Sequence, residues 1–474
     1  MKKQYLLLLP LLFSGFTHLW NPVGFPDIFF DEGVYVGRAY DFVQTGILQQ
    51  PYYFDHPYFG QIILASVFAL SNLDVSDSLQ DFSSLKNLYL FPRIFVGALA
   101  VFDTLLIYMI ASKRYGQNVA LIASILFAVM PFTWILRGIL LDSLLLPLML
   151  ASILIAIHSE NSQKRMPLVL VSGILLGLAI FTKIPAFTMI PLVAFIIFSS
   201  SKSWKNVGIW LIPVILIPLI WPVYSIYVEQ FEYWEQSVIW QSQRTNDLLE
   251  IIYYFLLIDP FVFLVGFSGI VYSAIRKDWF VLLWLIPFLL FTSSVGYKQY
   301  FHLIPIFPIL CIGGAIILEN IVKRIQKPKI RREILVVSIT VFGLLSTGLV
   351  IVNDLSGSQF EVIEYVLKNV DDSNTTILSS PIYSWIFLAY DKENVLLDYS
   401  QIMFYPIETE KVMLIVDEHF LIDISRGKEL SEIYNKTKTI ETFRGNVNDI
   451  DNNPYPYTSM KLIFESSHIE VRVN

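Results

Sequence analysis

Two adjacent carboxylates open the run Phe29-Phe30-Asp31-Glu32-Gly33-Val34-Tyr35-Val36-Gly37-Arg38. A helix starting near Asp31 would bring Asp31, Tyr35 and Arg38 onto one face at i, i+4 and i+7. Two chemistries fit such a pair. Carboxylates in a first helical turn complement the helix dipole and cap free amides. A carboxylate can also act as a general base toward a hydroxyl within hydrogen-bond reach. Further along, Tyr52-Tyr53-Phe54-Asp55-His56-Pro57-Tyr58-Phe59 offers Asp55 and His56 as an acid–base or metal-ligand pair, with no second histidine nearby. Its tyrosines read equally well as interface anchors.

Cations come next. Arg93 follows Pro92; Arg137 and Asp142 stand five apart in Arg137-Gly138-Ile139-Leu140-Leu141-Asp142; Lys183 lies in Phe181-Thr182-Lys183-Ile184-Pro185. All of them sit at the ends of apolar runs, and Asp103 falls inside one. Charges at such depth must pair, snorkel or line a wet cavity. Arg137 and Asp142 pairing with each other is one reading. The other is a cationic cradle of Arg93, Arg137 and Lys183 for an anionic lipid headgroup, since phosphate is held well by such groups. Near the start of a late span, Tyr297, Lys298, Tyr300 and His302 face the same side, as site residues or as an aromatic belt.

The elements that must position these residues are membrane spans. The chain has 474 residues, 55% hydrophobic and 15% charged, against roughly 25% charged in soluble domains. Apolar runs of the roughly 20 residues that cross a bilayer suggest about eleven spans. One is the N-terminal run after Lys2 and Lys3, read as a retained span. The others lie near 90–112, 118–136, 139–158, 167–182, 185–200, 207–228, 250–275, 279–296, 300–318 and 333–352. The run 57–71 is short enough for an interfacial helix. Basic residues cluster in alternate loops, at Lys2/Lys3, Lys113/Arg114, Lys164/Arg165, Lys202/Lys205, Arg276/Lys277 and Lys323 to Arg332. That side is expected to be cytoplasmic. The candidate residues then face outward, and so does the C-terminal region.

That region, 353–474, is expected to be a small α/β soluble domain appended to a catalytic membrane domain, 1–352. Its signals are a helix over Phe360–Val370 and strands at Thr376–Leu378, Val395–Leu397, Val412–Val416 and Lys461–Phe464. It carries 10 Lys+Arg and 20 Asp+Glu, against 23 and 20 in residues 1–352. An acidic tail argues against nucleic acid or an anionic membrane surface as partner. The sequons at Asn374 and Asn435 are compatible with export. The single cysteine, Cys311, excludes an internal disulfide.

In order along residues 20–310, the Asp31-Glu32 pair, His56-Pro57, Arg137-x-x-x-x-Asp142 and Tyr297-Lys298-x-Tyr300-x-x-x-x-Pro305-x-x-Pro308 resemble the dolichyl-phosphate-mannose protein mannosyltransferases and the lipid A aminoarabinose transferases. These are GT-C glycosyltransferases. The resemblance implies inverting sugar transfer from a polyprenyl- or dolichyl-phosphate donor at the outer face. It implies Asp31 as general base with Glu32 beside it, and donor phosphate held by Arg137 and Lys183. The family's usual His-Pro-Pro-Leu is here His56-Pro57-Tyr58-Phe59. No Trp-Trp-Asp motif of the oligosaccharyltransferases occurs, which disfavours en bloc glycan transfer to asparagine. A lipid-linked sugar donor is required on this reading, and the acceptor is a protein, glycan or lipid. A divalent metal ion is neither required nor excluded. Two rival classes remain: a transporter, whose mark would be inverted repeats with paired broken helices, and a non-catalytic scaffold with an exported binding domain.

Overall fold

The computed structural model describes residues 7–49, 54–71, 82–160, 162–243, 248–295, 299–325, 327–370, 374–392, 394–403, 407, 409–417, 420–421, 424, 427–445 and 468–474. The chain is a helical membrane protein carrying a small C-terminal sheet. Seven helices are long and apolar enough to span: Leu85–Tyr115, Leu141–Ser159, Arg165–Thr182, Ile184–Ser201, Trp204–Tyr227, Tyr300–Lys323 and Pro328–Ile351. Shorter apolar helices, Leu8–Leu19 and Trp279–Ser294, occupy the positions of two further expected spans. The 57–71 run forms the short helix Phe59–Ser71.

Two expected spans are not straight. Gln117–Val129 and Pro131–Arg137 meet at 64°, and Ile252–Ile258 and Pro260–Ile275 at 119°. Proline ends each first segment, because its ring cannot continue the preceding turn and it carries no amide hydrogen. The freed amides are then satisfied by one buried carboxylate. Asp259 Oδ1 accepts from the Val262 amide at 2.9 Å, and its Oδ2 from the Phe132 amide at 3.2 Å. The two breaks are thus tied to each other, which apolar periodicity could not show. Broken helices were the feature expected of a transporter. Here the one ionisable group bridging the breaks serves as a cap for both.

Between the first span and Phe59–Ser71 runs the helix Phe30–Thr45, ended by Gly46 in the left-handed region at φ 72°. It is the element that carries Asp31, Tyr35 and Arg38. Its other side is buried against the tail.

The tail builds a five-stranded sheet in the order β2-β1-β3-β5-β4: β1 Thr375–Leu378, β2 Val395–Leu396, β3 Lys411–Val416, β4 Lys438–Arg444 and β5 His468–Val473. β1 pairs parallel with β2 and β3, and β5 joins antiparallel to β3 and β4. The expected helix spans Gly357–Asn369, and the first three expected strands are present. The fourth, 461–464, lies outside the described residues; β4, β5 and the helices Pro381–Ala389 and Lys428–Lys436 were not anticipated. The tail and the helix Phe30–Thr45 share one apolar core, in which Tyr35, Val36, Ala39 and Tyr40 pack with Ile382, Trp385 and Ile386. The chain leaving the last span is pinned as well: Asn21 Nδ2 donates to the Ile351 and Asn353 carbonyls, and the Leu355 amide to Gly24 O.

Candidate functional site

Helical spacing places Asp31, Tyr35 and Arg38 on one face, as anticipated, and other elements complete the surroundings. Arg38 Nη1 donates to Asp55 Oδ1 at 2.6 Å in a half-buried ion pair, and the Tyr35 and His56 rings lie 6.1 Å apart. The Asp55-His56 turn is held by Gln49, whose amide donates to the His56 carbonyl at 2.9 Å. From the other side comes Asp142, in the first turn of the helix Leu141–Ser159, paired with Lys183 at 2.5 Å. These two helices of a hairpin run antiparallel, so the start of one and the residue after the end of the next meet at the same membrane face. The Lys183 ammonium lies 5.5 Å from the centre of the Phe301 ring, which packs on Phe29 at 5.5 Å. Tyr300 and His302 flank Phe301 and are half-buried.

Electrostatics shows the convergence. Burial raises the Tyr35 phenol well above its ordinary range, and the carboxylates of Asp31, Asp55 and Asp142 raise it further, opposed by Arg38. Tyr35 is therefore a neutral hydroxyl among three acids. At Asp55 burial pushes the carboxyl up, but the Arg38 and His56 charges pull harder and hold it below its ordinary value. Asp142 Oδ1 is buried with no hydrogen-bond partner among the described residues, so that acid is anchored on one oxygen only.

The remaining cations are placed differently from a phosphate cradle. Arg93 is fully buried, and its donors go to protein acceptors: Nε and Nη2 to Glu32 at 3.0 and 2.8 Å, and the rest to the carbonyls of Pro22, Pro26 and Asp27. A guanidinium has five N–H donors, and all are engaged. Glu32 in turn accepts the Phe29 amide at 3.2 Å and the Ile139 amide at 3.0 Å. The capping role that sequence allowed to either carboxylate belongs to Glu32. Arg137 caps the end of the first helix, donating to the carbonyls of Thr17, Trp20 and Asn21 and, from Nε, to Phe25 O at 3.0 Å. It does not pair with Asp142, whose partner is Lys183.

Asp31, Tyr35, His56, Asp142 and Lys183 are thus gathered around one region, while Glu32, Arg93 and Arg137 are held in buried networks of their own. Tyr300 and His302 stand on either side of Phe301 in the chain, Tyr300 packed on Trp134 and Tyr254 and His302 Nδ1 accepting the Gln299 amide. Tyr297 and Lys298 lie outside the described residues. Arg38 and Asp55 join the site, and Arg38 was visible in the i, i+7 spacing. Among the described residues no group of three or more His, Cys, Asp or Glu side chains is placed to hold a metal ion.

The family described as dolichyl-phosphate-mannose-protein mannosyltransferase matches residues 83–226, a segment that includes Arg93, Arg137, Asp142 and Lys183. No curated protein matches the chain by sequence. Among solved structures, ArnT from Cupriavidus metallidurans bound to undecaprenyl phosphate superposes with a TM-score of 0.58 at 12% identity, covering 99% of this chain and 97% of that one. The archaeal oligosaccharyltransferase AglB from Archaeoglobus fulgidus, in complex with an inhibitory peptide and a dolichol-phosphate, gives 0.57 at 12% identity, with 91% and 72% covered. The chain shares its fold with these two proteins.

Proposed function

We propose that this protein is a membrane glycosyltransferase that moves a sugar, a hexose such as mannose, from a polyprenyl- or dolichyl-phosphate donor to an acceptor hydroxyl at the outer membrane face. The observation that carries the reading is the meeting of Asp31, on the face of Tyr35 and Arg38, with the buried Asp142–Lys183 pair across the same region. The family match over 83–226 supports it.

In the proposed step Asp31 takes the proton of the acceptor hydroxyl as its oxygen attacks the anomeric carbon. The bond from that carbon to the phosphate oxygen breaks, the electron pair leaves with the phosphate, and the anomeric centre inverts. The departing charge needs a cation in a poorly solvated place. Lys183 fills that role, with two ammonium hydrogens beyond the one given to Asp142. His56, Tyr300 and His302 border the headgroup. Arg93, Arg137 and Glu32 act on this reading by holding the irregular segment 20–29 and the start of the Asp31 helix. The lipid tail stays in the bilayer. With the N-terminus cytoplasmic, the division at 352/353 puts the tail outside, beside the acceptor.

The test is to incubate purified protein with a panel of polyprenyl-phosphate sugars and follow donor loss and product mass by mass spectrometry. Release of polyprenyl phosphate with appearance of a glycosylated acceptor is expected. No consumption of any donor by a folded protein would sink the reading in favour of transport or scaffolding.

A further inference from the structure

We infer that the C-terminal tail is a working part of the catalytic centre, with Trp385 as a positioning residue that fixes the helix presenting Asp31. The inference rests on the reading of Asp31 as the base.

A helix turns about 100° per residue, so Gly33 and Gly37 lie on the side opposite Asp31, Tyr35 and Arg38. There the tail helix Pro381–Ala389 meets the Phe30–Thr45 helix backbone to backbone. A Cβ on Gly33 would stand 2.4 Å from Pro381 O, and one on Gly37 would stand 2.9 Å from Trp385 Cβ. Nothing larger than glycine fits without moving one helix.

Trp385 ties this contact to a second helix. Its indole N–H donates to Tyr89 Oη at 3.0 Å, and the Tyr89 hydroxyl donates to Ile382 O at 3.2 Å. The Trp385 ring also packs on Tyr40 and Tyr89, at 5.6 and 6.0 Å between centroids. Tyr89 stands one turn before Arg93 on the same helix, and Arg93 grips Glu32, the neighbour of Asp31. The connections close a ring: Asp31 helix, Trp385, Tyr89, Arg93, Glu32 and back. One tie holds the helix at its first turn and the other along its glycine face, so it cannot roll about its own axis.

Roll is the motion to which a base is most sensitive. A turn of about 10° shifts a carboxyl some 6 Å from the axis by about 1 Å, and misplacement of that size can cost on the order of a hundredfold in rate. The tail therefore acts from behind the helix without touching substrate.

The experiment uses the full-length protein in lipid nanodiscs, with Trp385→Phe, Tyr89→Phe, their double variant and Gly37→Ala. Tyr89→Phe removes only the hydroxyl, whereas Trp385→Phe keeps one aromatic ring but loses the pyrrole ring that carries the N–H donor and packs on Tyr40 and Tyr89. Hydrogen exchange over residues 30–45 and steady-state kinetics are read together. Expected is faster exchange confined to that helix, with kcat lower by roughly tenfold and donor KM unchanged. The double variant should be no slower than Trp385→Phe alone, because both substitutions cut the same hydrogen bond. Unchanged kcat in both Trp385→Phe and Gly37→Ala would overturn the inference. So would a loss accompanied by faster exchange in every helix, which would make Trp385 merely structural. If the parent protein consumes no donor, the function reading fails by itself. Exchange over residues 30–45 then still decides whether Trp385 fixes the helix, and an unchanged pattern overturns that too.

Discussion

Lys183 Nζ lies 2.5 Å from Asp142 Oδ2, and both side chains are almost wholly buried where two neighbouring antiparallel helices begin and end at the same membrane face. Breaking a buried pair costs about 3–5 kcal/mol because the surviving charge is left uncompensated. Lys183→Ala is therefore expected to lose both stability and donor affinity. The double variant Lys183→Ala/Asp142→Asn separates the two effects. It should recover most of the melting temperature lost by the single variant, while lipid-phosphate binding stays weak. Recovery of donor binding along with stability would reduce the pair to a structural tie.

Arg93 and Glu32 make the opposite prediction. All the Arg93 donors are spent on Glu32 and on carbonyls of residues 22–27. Arg93→Lys keeps the charge but loses the planar fork, and should cost several kcal/mol of stability on the scale of a broken buried pair. Thermal unfolding in detergent measures this. Normal stability with selectively weakened donor binding would return Arg93 to the phosphate-binding role.

These two pairs show what the sequence could and could not convey. It was right to say that Arg93, Arg137 and Lys183 need anionic or polar partners at their depth. It could not say that the partners lie within the protein. For Arg137 they are backbone carbonyls at the end of the first helix and in the irregular segment after it, and no residue pattern encodes a carbonyl's direction. The Asp142–Lys183 pair was in principle readable, since two consecutive antiparallel spans bring an acid at the start of one beside a cation just past the end of the next. Nearness in sequence favoured Arg137 instead. In the tail, β5 alternates Ile469, Val471 and Val473 inward, a signal that was there to be read. β4, as Lys-Thr-Ile-Glu-Thr-Phe-Arg, is an exposed edge with little apolar pattern.

The Arg38–Asp55 pair predicts an acid response. Burial raises the Asp55 carboxyl, but Arg38 and His56 outweigh it, so its folded value lies below the ordinary 3.8. A depressed carboxylate contributes fully above its unfolded value and loses that contribution as pH falls through the folded one. Melting temperature should hold steady from neutrality to about pH 4 on this account, then fall. Asp55→Asn should remove that limb at a cost near neutrality of about 0–1 kcal/mol, as for a partly exposed pair. An acid limb identical in Asp55→Asn and parent would assign it to other groups.

Orientation has its own test. Asn374 and Lys327 are both exposed, the first just before β1 and the second between the last two spans. Positive charge in alternate loops puts Lys327 inside. An impermeant thiol reagent applied to intact cells should label Asn374→Cys and leave Lys327→Cys untouched; Cys311 is buried and gives little background. The reverse pattern would place the Asp31 region on the cytoplasmic face and remove the outer-face mechanism.

Asp31 is the residue on which the enzyme reading turns. Glu32 accepts the Phe29 amide and the Arg93 fork, and the neighbouring Asp31 is half-exposed on the face of Tyr35 and Arg38. Asn keeps the shape of the side chain and can still accept a capping hydrogen bond, so Asp31→Asn should leave folding intact. A general base contributes about 10²–10⁴-fold to rate, so turnover should fall at least about a hundredfold, with donor affinity close to that of the parent. Glu32→Gln should behave otherwise: it weakens the buried tie to Arg93 and lowers melting temperature first. Single-turnover rates with saturating donor, set beside melting curves for both variants, separate the two roles. Parental transfer rates in a stable Asp31→Asn protein would mean that the proton goes elsewhere, with Asp142, anchored through one oxygen, the next acid to test.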